Sequence, residues 1–373
     1  MILPGAMLGM LGGGQLGRFF VLAARQMGYR VMVLDADPHS PAGQLADVHL
    51  QAGYDDPAAL DRIAAQCAVA TTEFENVPAQ TLDWLAEKIP VYPSADAVRV
   101  AQNRLREKRF VREAGLETAR FAAVSGPADF AEAAAQTGFP AILKTTELGY
   151  DGKGQRVLES ADQLPQAFAA LGEVECILEA RVSLAREISV VVARDASGGV
   201  SAFPVAENVH RHGILHRSRA PAACGDALTQ AAQDGAKKLA AALDYVGVLA
   251  VEYFETTDHR LLVNEIAPRT HNSGHYTLDA CATSQFEQQL RMICGLGHGD
   301  TRLLAPVVMI NLLGDLWSEQ QPPAWAVLLE APDVKLHLYG KREARPGRKM
   351  GHFNVLGEDQ PPVERAEALF ERL

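Results

Sequence analysis

Two apolar segments constrain this chain more tightly than any other feature. Leu249-Ala-Val-Glu252-Tyr-Phe254 and Leu261-Leu-Val-Asn264-Glu265-Ile266 both read as strands, and the short stretch from Glu255 to Arg260 joins them as a hairpin. If Asp258-His259 is a two-residue turn, Phe254 pairs with Val263, Tyr253 with Asn264 and Glu252 with Glu265. A four-residue loop keeps that register, and an odd loop shifts it. Directly opposed carboxylates on one face repel each other. A divalent cation removes the conflict, since Mg²⁺ takes one or two carboxylates together with substrate phosphates and water. Two solvated glutamates are the alternative, but the flanking residues are so apolar that the strands should be covered.

The residues after the second strand carry many donors: Ala267-Pro-Arg269-Thr-His271-Asn272-Ser-Gly274-His275. Such a loop, directly after a metal ligand, is where an anionic co-substrate would sit. Upstream, Ile142-Leu-Lys144 leads into Gly149-Tyr150-Asp151-Gly152-Lys153-Gly154-Gln155, and an apolar pattern resumes at Val157. The expectation is strand, glycine-rich turn, strand, with backbone N–H groups and Lys144 available to phosphate oxygens. A hairpin with a flexible tip is the plainer reading of the same residues.

The chain begins with a βαβ pattern. An apolar strand from Met7 to Leu11 runs into Gly12-Gly-Gly14-Gln15-Leu16-Gly17, then a helix, then a strand ending at Asp35. G-x-G-x-x-G with an acid after the second strand admits a dinucleotide, but the same turn serves any doubly wound sheet. Glu73-Phe-Glu75-Asn76 follows another strand, at the end where open α/β sheets bind ligands, or where a helix cap would sit.

A chain of 373 residues implies two to three domains. No stretch approaches the ~20 apolar residues of a membrane span. The N-terminal segment lacks a basic region ahead of its apolar one, so it is expected to open a domain and not to be a targeting signal. Five scattered cysteines without a C-x-x-C pair suggest reduced thiols in a cytoplasm. A net charge of −11 argues against a nucleic-acid binder and makes the one basic cluster, Lys341 to Lys349, more informative. Ser94 is expected to cap one helix running through Lys108, most of whose basic residues should be solvated. Glu179 and Glu187 fall at strand ends, and residues 203–212 read as a strand entering a polar loop.

Five stretches in order resemble the ATP-grasp superfamily, and within it the purine-biosynthesis ligases that carboxylate aminoimidazole ribonucleotide. They are Phe74-Glu-Asn-Val-Pro78, the Gly149–Gln155 loop, Glu207-Asn-Val-His210, Asn264-Glu-Ile-Ala-Pro-Arg269 with His271 to His275, and Arg345-Pro-Gly-Arg-Lys-Met-Gly-His352. The resemblance implies an α/β ATP-grasp fold: an N-terminal doubly wound domain (1–103), a small lid domain (104–182), a large domain (183–304) and a C-terminal α+β segment (305–373). It implies ATP and Mg²⁺ as cofactors, and aminoimidazole ribonucleotide and bicarbonate as substrates. It further implies a cytoplasmic homodimer, with no nucleic acid and no membrane as partner.

The same resemblance assigns site residues. Arg104, Lys144 and the loop of Gly149, Tyr150, Asp151, Gly152, Lys153, Gly154 and Gln155 would contact ATP phosphates. Glu179, Ala180, Arg181 and Val182 would line the adenine, Glu187 would take the ribose, and His210 would sit beside the nucleotide. Glu252 and Glu265 would carry Mg²⁺, with Asn264 nearby, and Arg269, His271 and Asn272 would hold bicarbonate. Tyr150 and Asp151 would reach the aminoimidazole. Gln15 and Glu73 would help to shape its pocket, and Lys153, Lys341 and Arg348 would grip its 5′-phosphate. Two positions depart from the pattern: Asn103 stands where an aspartate is common, and Glu147 where a basic residue is frequent. A sister ligase that activates formate for glycinamide ribonucleotide, an NAD-dependent oxidoreductase and a nucleotide-sensing protein without catalysis are the competing readings.

Overall fold

The structure is a computed structural model describing residues 1–147, 154–318 and 322–373. The first sheet is wholly parallel, in the order Val48–Leu50, Arg30–Leu34, Met7–Leu11, Ala70–Thr72, Val91–Tyr92. Met7–Leu11 is buried along its whole length, as expected of a strand covered on both faces. The strand order reverses beside it, and the glycine turn and helix Gln15–Gln26 lie at that switch point.

A second, antiparallel sheet runs Phe121–Val124, Cys176–Ala180, Ala141–Thr145, Gln155–Leu158. Helices Phe130–Thr137 and Leu164–Ala170 cover one face through Ala133, Leu164 and Phe168. Leu143 points into that core, so Ile142 and Lys144, on either side of it, face the other way. Lys144 pairs with Gln155, so the two strands expected on either side of the glycine-rich segment are present and antiparallel.

The third sheet is the largest, ordered Leu261–Ala267, Gly247–Thr256, Leu184–Arg194, Ala206–Arg211, Ile214–Ala220, Val307–Leu313, Lys349–Leu356, Val334–Leu338. Helix Asp226–Ala242 packs on Leu184–Arg194 and Gly247–Thr256 through an alanine-rich face. The C-terminal strands extend this sheet directly, so the basic cluster at 341–349 is built onto the large domain.

Several local expectations change. The charged helix is two helices, Ala95–Gln102 and Arg104–Glu113. Asn103 breaks them apart, its side chain accepting from Leu105 and Arg106 N–H at 3.1 Å and so capping the second. Residues Ala206–Arg211 are a strand, not a loop, and Glu187 lies within strand Leu184–Arg194 and not at its end.

Candidate active site

The hairpin turn is odd. Thr256 N–H donates to Arg260 O, leaving Thr257, Asp258 and His259 as the turn, with His259 left-handed at φ +62°. This shifts the register near the turn, so Tyr253 faces Val263 and Phe254 faces Leu262, against expectation. Asn264 is then an extra residue, a β-bulge, and beyond it Glu252 does lie opposite Glu265. In a regular strand Asn264 and Glu265 would point to opposite faces. The bulge lets both line the same cleft as Glu252.

That cleft holds about 360 Å³ between the lid sheet and the large sheet. Its walls carry four cations (Arg104, Lys144, Arg269, Lys349) and four carboxylates (Glu75, Glu187, Glu252, Glu265). Glu252, Glu265 and His271 each bring a donor atom to within 4.8 Å of the others. Burial, and then the charge on Glu265, pushes the Glu252 carboxyl up to about 7. Two carboxylates so placed, with an amide beside them, are oxygen donors suited to a hard divalent cation, which would relieve their repulsion. Burial, followed by Arg269 and Lys349, holds His271 well below its ordinary range, as a neutral imidazole whose Nε2 is 3.5 Å from Glu252 Oε1.

Lys144 pairs with Glu179, and the other oxygen of that carboxylate is 2.9 Å from Lys108. Burial alone would raise the Glu179 pKa, but the two ammonium groups outweigh it and hold the carboxyl well below its usual range. Of residues 179–182, none lines this cleft among the described residues. Glu187 and His210, on adjacent strands, both do, with Nδ1 2.7 Å from Oε2. Burial opposes the charged imidazole, yet the bond to Glu187 and the nearby Glu252 raise the His210 pKa. Arg269 is fixed by a two-pronged pair with Glu75, and Asn272 by reciprocal amide bonds with Asn311 at 3.0 and 2.6 Å. Gly149, Tyr150, Asp151, Gly152 and Lys153 lie outside the described residues. Gly154 and Gln155 return the chain to the lid sheet, Gly154 O accepting from Thr145 N–H at 3.0 Å.

The glycine turn is occupied by the chain's own acids. Asp35 accepts from Gly13 N–H at 2.7 Å, and Glu73 accepts from the N–H groups of Gly14 and Gly17. Gln15 starts the helix at the same turn. The donors that a dinucleotide pyrophosphate would need are therefore taken. Lys341 and Arg348 line a separate cleft of about 220 Å³, facing Asp37 and His39 of the first domain. Burial raises the Glu73 carboxyl, opposed by the Gly17 and Gly14 amides and, more weakly, by the charge on Lys341.

Sequence reasoning missed Glu107 and Lys108. Lys108 falls among basic residues expected to be solvated and Glu107 carries no assigned role, yet each is 3% exposed. The available signal was spacing, because Lys108 sits three residues from both Leu105 and Val111, on the buried stripe of its helix. Lys349 was seen only as part of a basic cluster. The two departures meet in space, with Asn103 Nδ2 donating to Glu147 Oε1 at 3.1 Å. Where an aspartate and a basic residue would form an ion pair, this chain has an amide donating to a carboxylate.

A lysine-bearing antiparallel sheet facing an acidic pair on a larger sheet, behind a doubly wound domain, is the architecture of an ATP-grasp ligase. Family models agree: the ribonucleotide synthetase preATP-grasp domain matches residues 6–102, the ATP-grasp domain 109–286, and the phosphoribosylaminoimidazole carboxylase C-terminal domain 307–366. The chain is 46% identical to an N5-carboxyaminoimidazole ribonucleotide synthase of Bacillus subtilis, over 96% of this chain and 93% of that one. It superposes on an N5-carboxyaminoimidazole ribonucleotide synthetase solved with ADP at TM-score 0.92, with 45% identity and coverage of 99% and 97%. An Aspergillus clavatus enzyme solved with ADP and 5-aminoimidazole ribonucleotide gives TM-score 0.90 at 34% identity, covering 98% and 96%. This chain belongs to the N5-carboxyaminoimidazole ribonucleotide synthase family.

Proposed function

We propose that this chain joins 5-aminoimidazole ribonucleotide to bicarbonate at the expense of ATP, releasing N5-carboxyaminoimidazole ribonucleotide, ADP and phosphate. The observation that carries the reading is one cleft in which Glu252 and Glu265 oppose each other and share space with Lys144, Arg269, His271 and Asn272. Bicarbonate is a poor electrophile. Its oxygen attacks the γ-phosphorus of ATP, the bond to the β-phosphate oxygen breaks, and carboxyphosphate and ADP form. Glu252 and Glu265, with Asn264 beside them, would hold Mg²⁺, which when bound neutralises charge on the transferring phosphoryl group. Arg104 and Lys144 take the phosphates and Glu187 the ribose, and the adenine lies toward residues 179–182, where Glu179 pairs with Ile142 of the cleft wall.

Arg269, held in place by Glu75, and the neutral His271 orient bicarbonate with Asn272. Carboxyphosphate then breaks at its carbon–oxygen bond to CO₂ and phosphate. The exocyclic amine attacks CO₂ and loses a proton, for which Asp151 is the acceptor. Gln15, Glu73, Lys341 and Arg348 bind the ribonucleotide, together with Tyr150 and Lys153. The protein acts as a cytoplasmic homodimer, a C₂ pair being the commonest assembly. Among the described residues no helix is long and apolar enough to cross a membrane.

Bicarbonate labelled with ¹⁸O tests the order of bonds. The scheme expects one labelled oxygen in each released phosphate. Unlabelled phosphate would mean that water or the amine attacks ATP, and the carboxyphosphate step would be lost.

A further inference from the structure

Helix Arg104–Glu113 buries two adjacent charged residues, Glu107 and Lys108. Groups of this kind leave water only where specific partners await them. Strand Leu261–Ala267 is the edge of the large sheet, so the outward backbone groups of its bulge have no neighbouring strand. At Val263 the main chain covers that edge, through a 2.8 Å bond from Val263 N–H to Glu117 O. At the bulge, side chains take over. Lys108 Nζ donates to Asn264 O at 2.7 Å, and Glu107 Oε1 accepts from Ile266 N–H. These are the backbone groups immediately before and after Glu265. The same Lys108 ammonium is 2.9 Å from Glu179 of the lid sheet, whose other oxygen holds Lys144.

We propose that Glu107 and Lys108 are positioning residues that clamp the backbone on both sides of Glu265 and so set how its carboxylate meets that of Glu252. Lys108 also ties this geometry to the lid sheet through Glu179. The proposal rests on the reading of Glu252 and Glu265 as ligands of a divalent cation. Neither residue needs to touch substrate, so the effect appears in cation affinity before it appears in chemistry.

Mn²⁺ is the probe, titrated by electron paramagnetic resonance into the full-length protein with ADP and without bicarbonate or ribonucleotide, so that nothing turns over. Glu107→Leu and Lys108→Met should each weaken Mn²⁺ binding by about tenfold or more, the range seen when partners behind metal ligands are removed. Glu107→Gln keeps an acceptor for Ile266 N–H and should bind Mn²⁺ nearly as the wild type does. Wild-type affinity in both disruptive variants, or a Glu107→Gln variant as weak as Glu107→Leu, would overturn the clamp. Glu265→Gln separates the two readings. If it still binds Mn²⁺ normally, the cation site is wrong; if it loses Mn²⁺ while the clamp variants do not, only the clamp is wrong. A measurement on the wild type stands whether or not the variants fold. The Ile266 amide should exchange with deuterium slowly, and exchange as fast as a loop amide would end the proposal.

Discussion

Glu179 and Glu252 are both buried carboxylates, and their surroundings push them in opposite directions. Glu179 lies between two lysines and stays charged far into acid; Glu252 faces another carboxylate and is raised to about 7. Removing one member of a buried charge cluster strands the others, so Glu179→Gln should destabilise the fold by about 3 kcal/mol at neutral pH. Because the folded pKa of Glu179 is depressed, its contribution is complete above the ordinary value of 4.5 and declines as pH falls toward the folded pKa. Urea unfolding should therefore show a gap between wild type and variant that is constant at neutral pH and narrows steadily below pH 4.5. A gap of unchanged size through the acid range would show that Glu179 acts by packing and not by charge.

At the scale of elements, the glycine turn and the bulged hairpin show what a sequence can and cannot reveal. Gly12 sits at φ +105°, and a Cβ there would collide with Glu73 Cγ while two backbone amides hold that side chain in place. Gly12→Ala should destabilise the first domain by about 2 kcal/mol or more, read as a drop in urea midpoint. An unchanged midpoint would mean that Glu73 is not held as described. The existence of the turn was legible, because glycine spacing reports a backbone requirement. What its amides bind was not, since Asp35 and Glu73 reach it from distant strands. The opposition of Glu252 and Glu265 was legible for a partly wrong reason: the turn is odd, and the bulge at Asn264 restores the register that the turn shifts. Alternation of side chains gives no hint of a bulge. What Glu107 and Lys108 bind was hidden in the same way, because their partners lie more than 60 residues away along the chain.

Over the whole molecule, two sheets and the segment that follows strand Ala70–Thr72 meet at the cleft, and the thiols report how tightly the sheets are packed. Burial raises Cys67, Cys281 and Cys294 to about 12 and Cys176 to about 11, while Cys224 is only half-buried. At pH 8 a small alkylating reagent should modify Cys224 first and leave the other four until the protein is unfolded, as read by intact mass. Rapid labelling of Cys176 in the native chain would show that the lid sheet is looser than described. The order of sheets was readable from the run of motifs. The way the C-terminal strands extend the large sheet was not, because strand partners across long separations leave no local pattern. Activation of bicarbonate by ATP for an aminoimidazole amine, in one cleft with an opposed glutamate pair, is read from ADP release. Wild-type protein should release ADP rapidly only when 5-aminoimidazole ribonucleotide and bicarbonate are both present, and Glu265→Gln should lose that release. Equal ADP release with formate and glycinamide ribonucleotide, or near-normal turnover by Glu265→Gln, would contradict it.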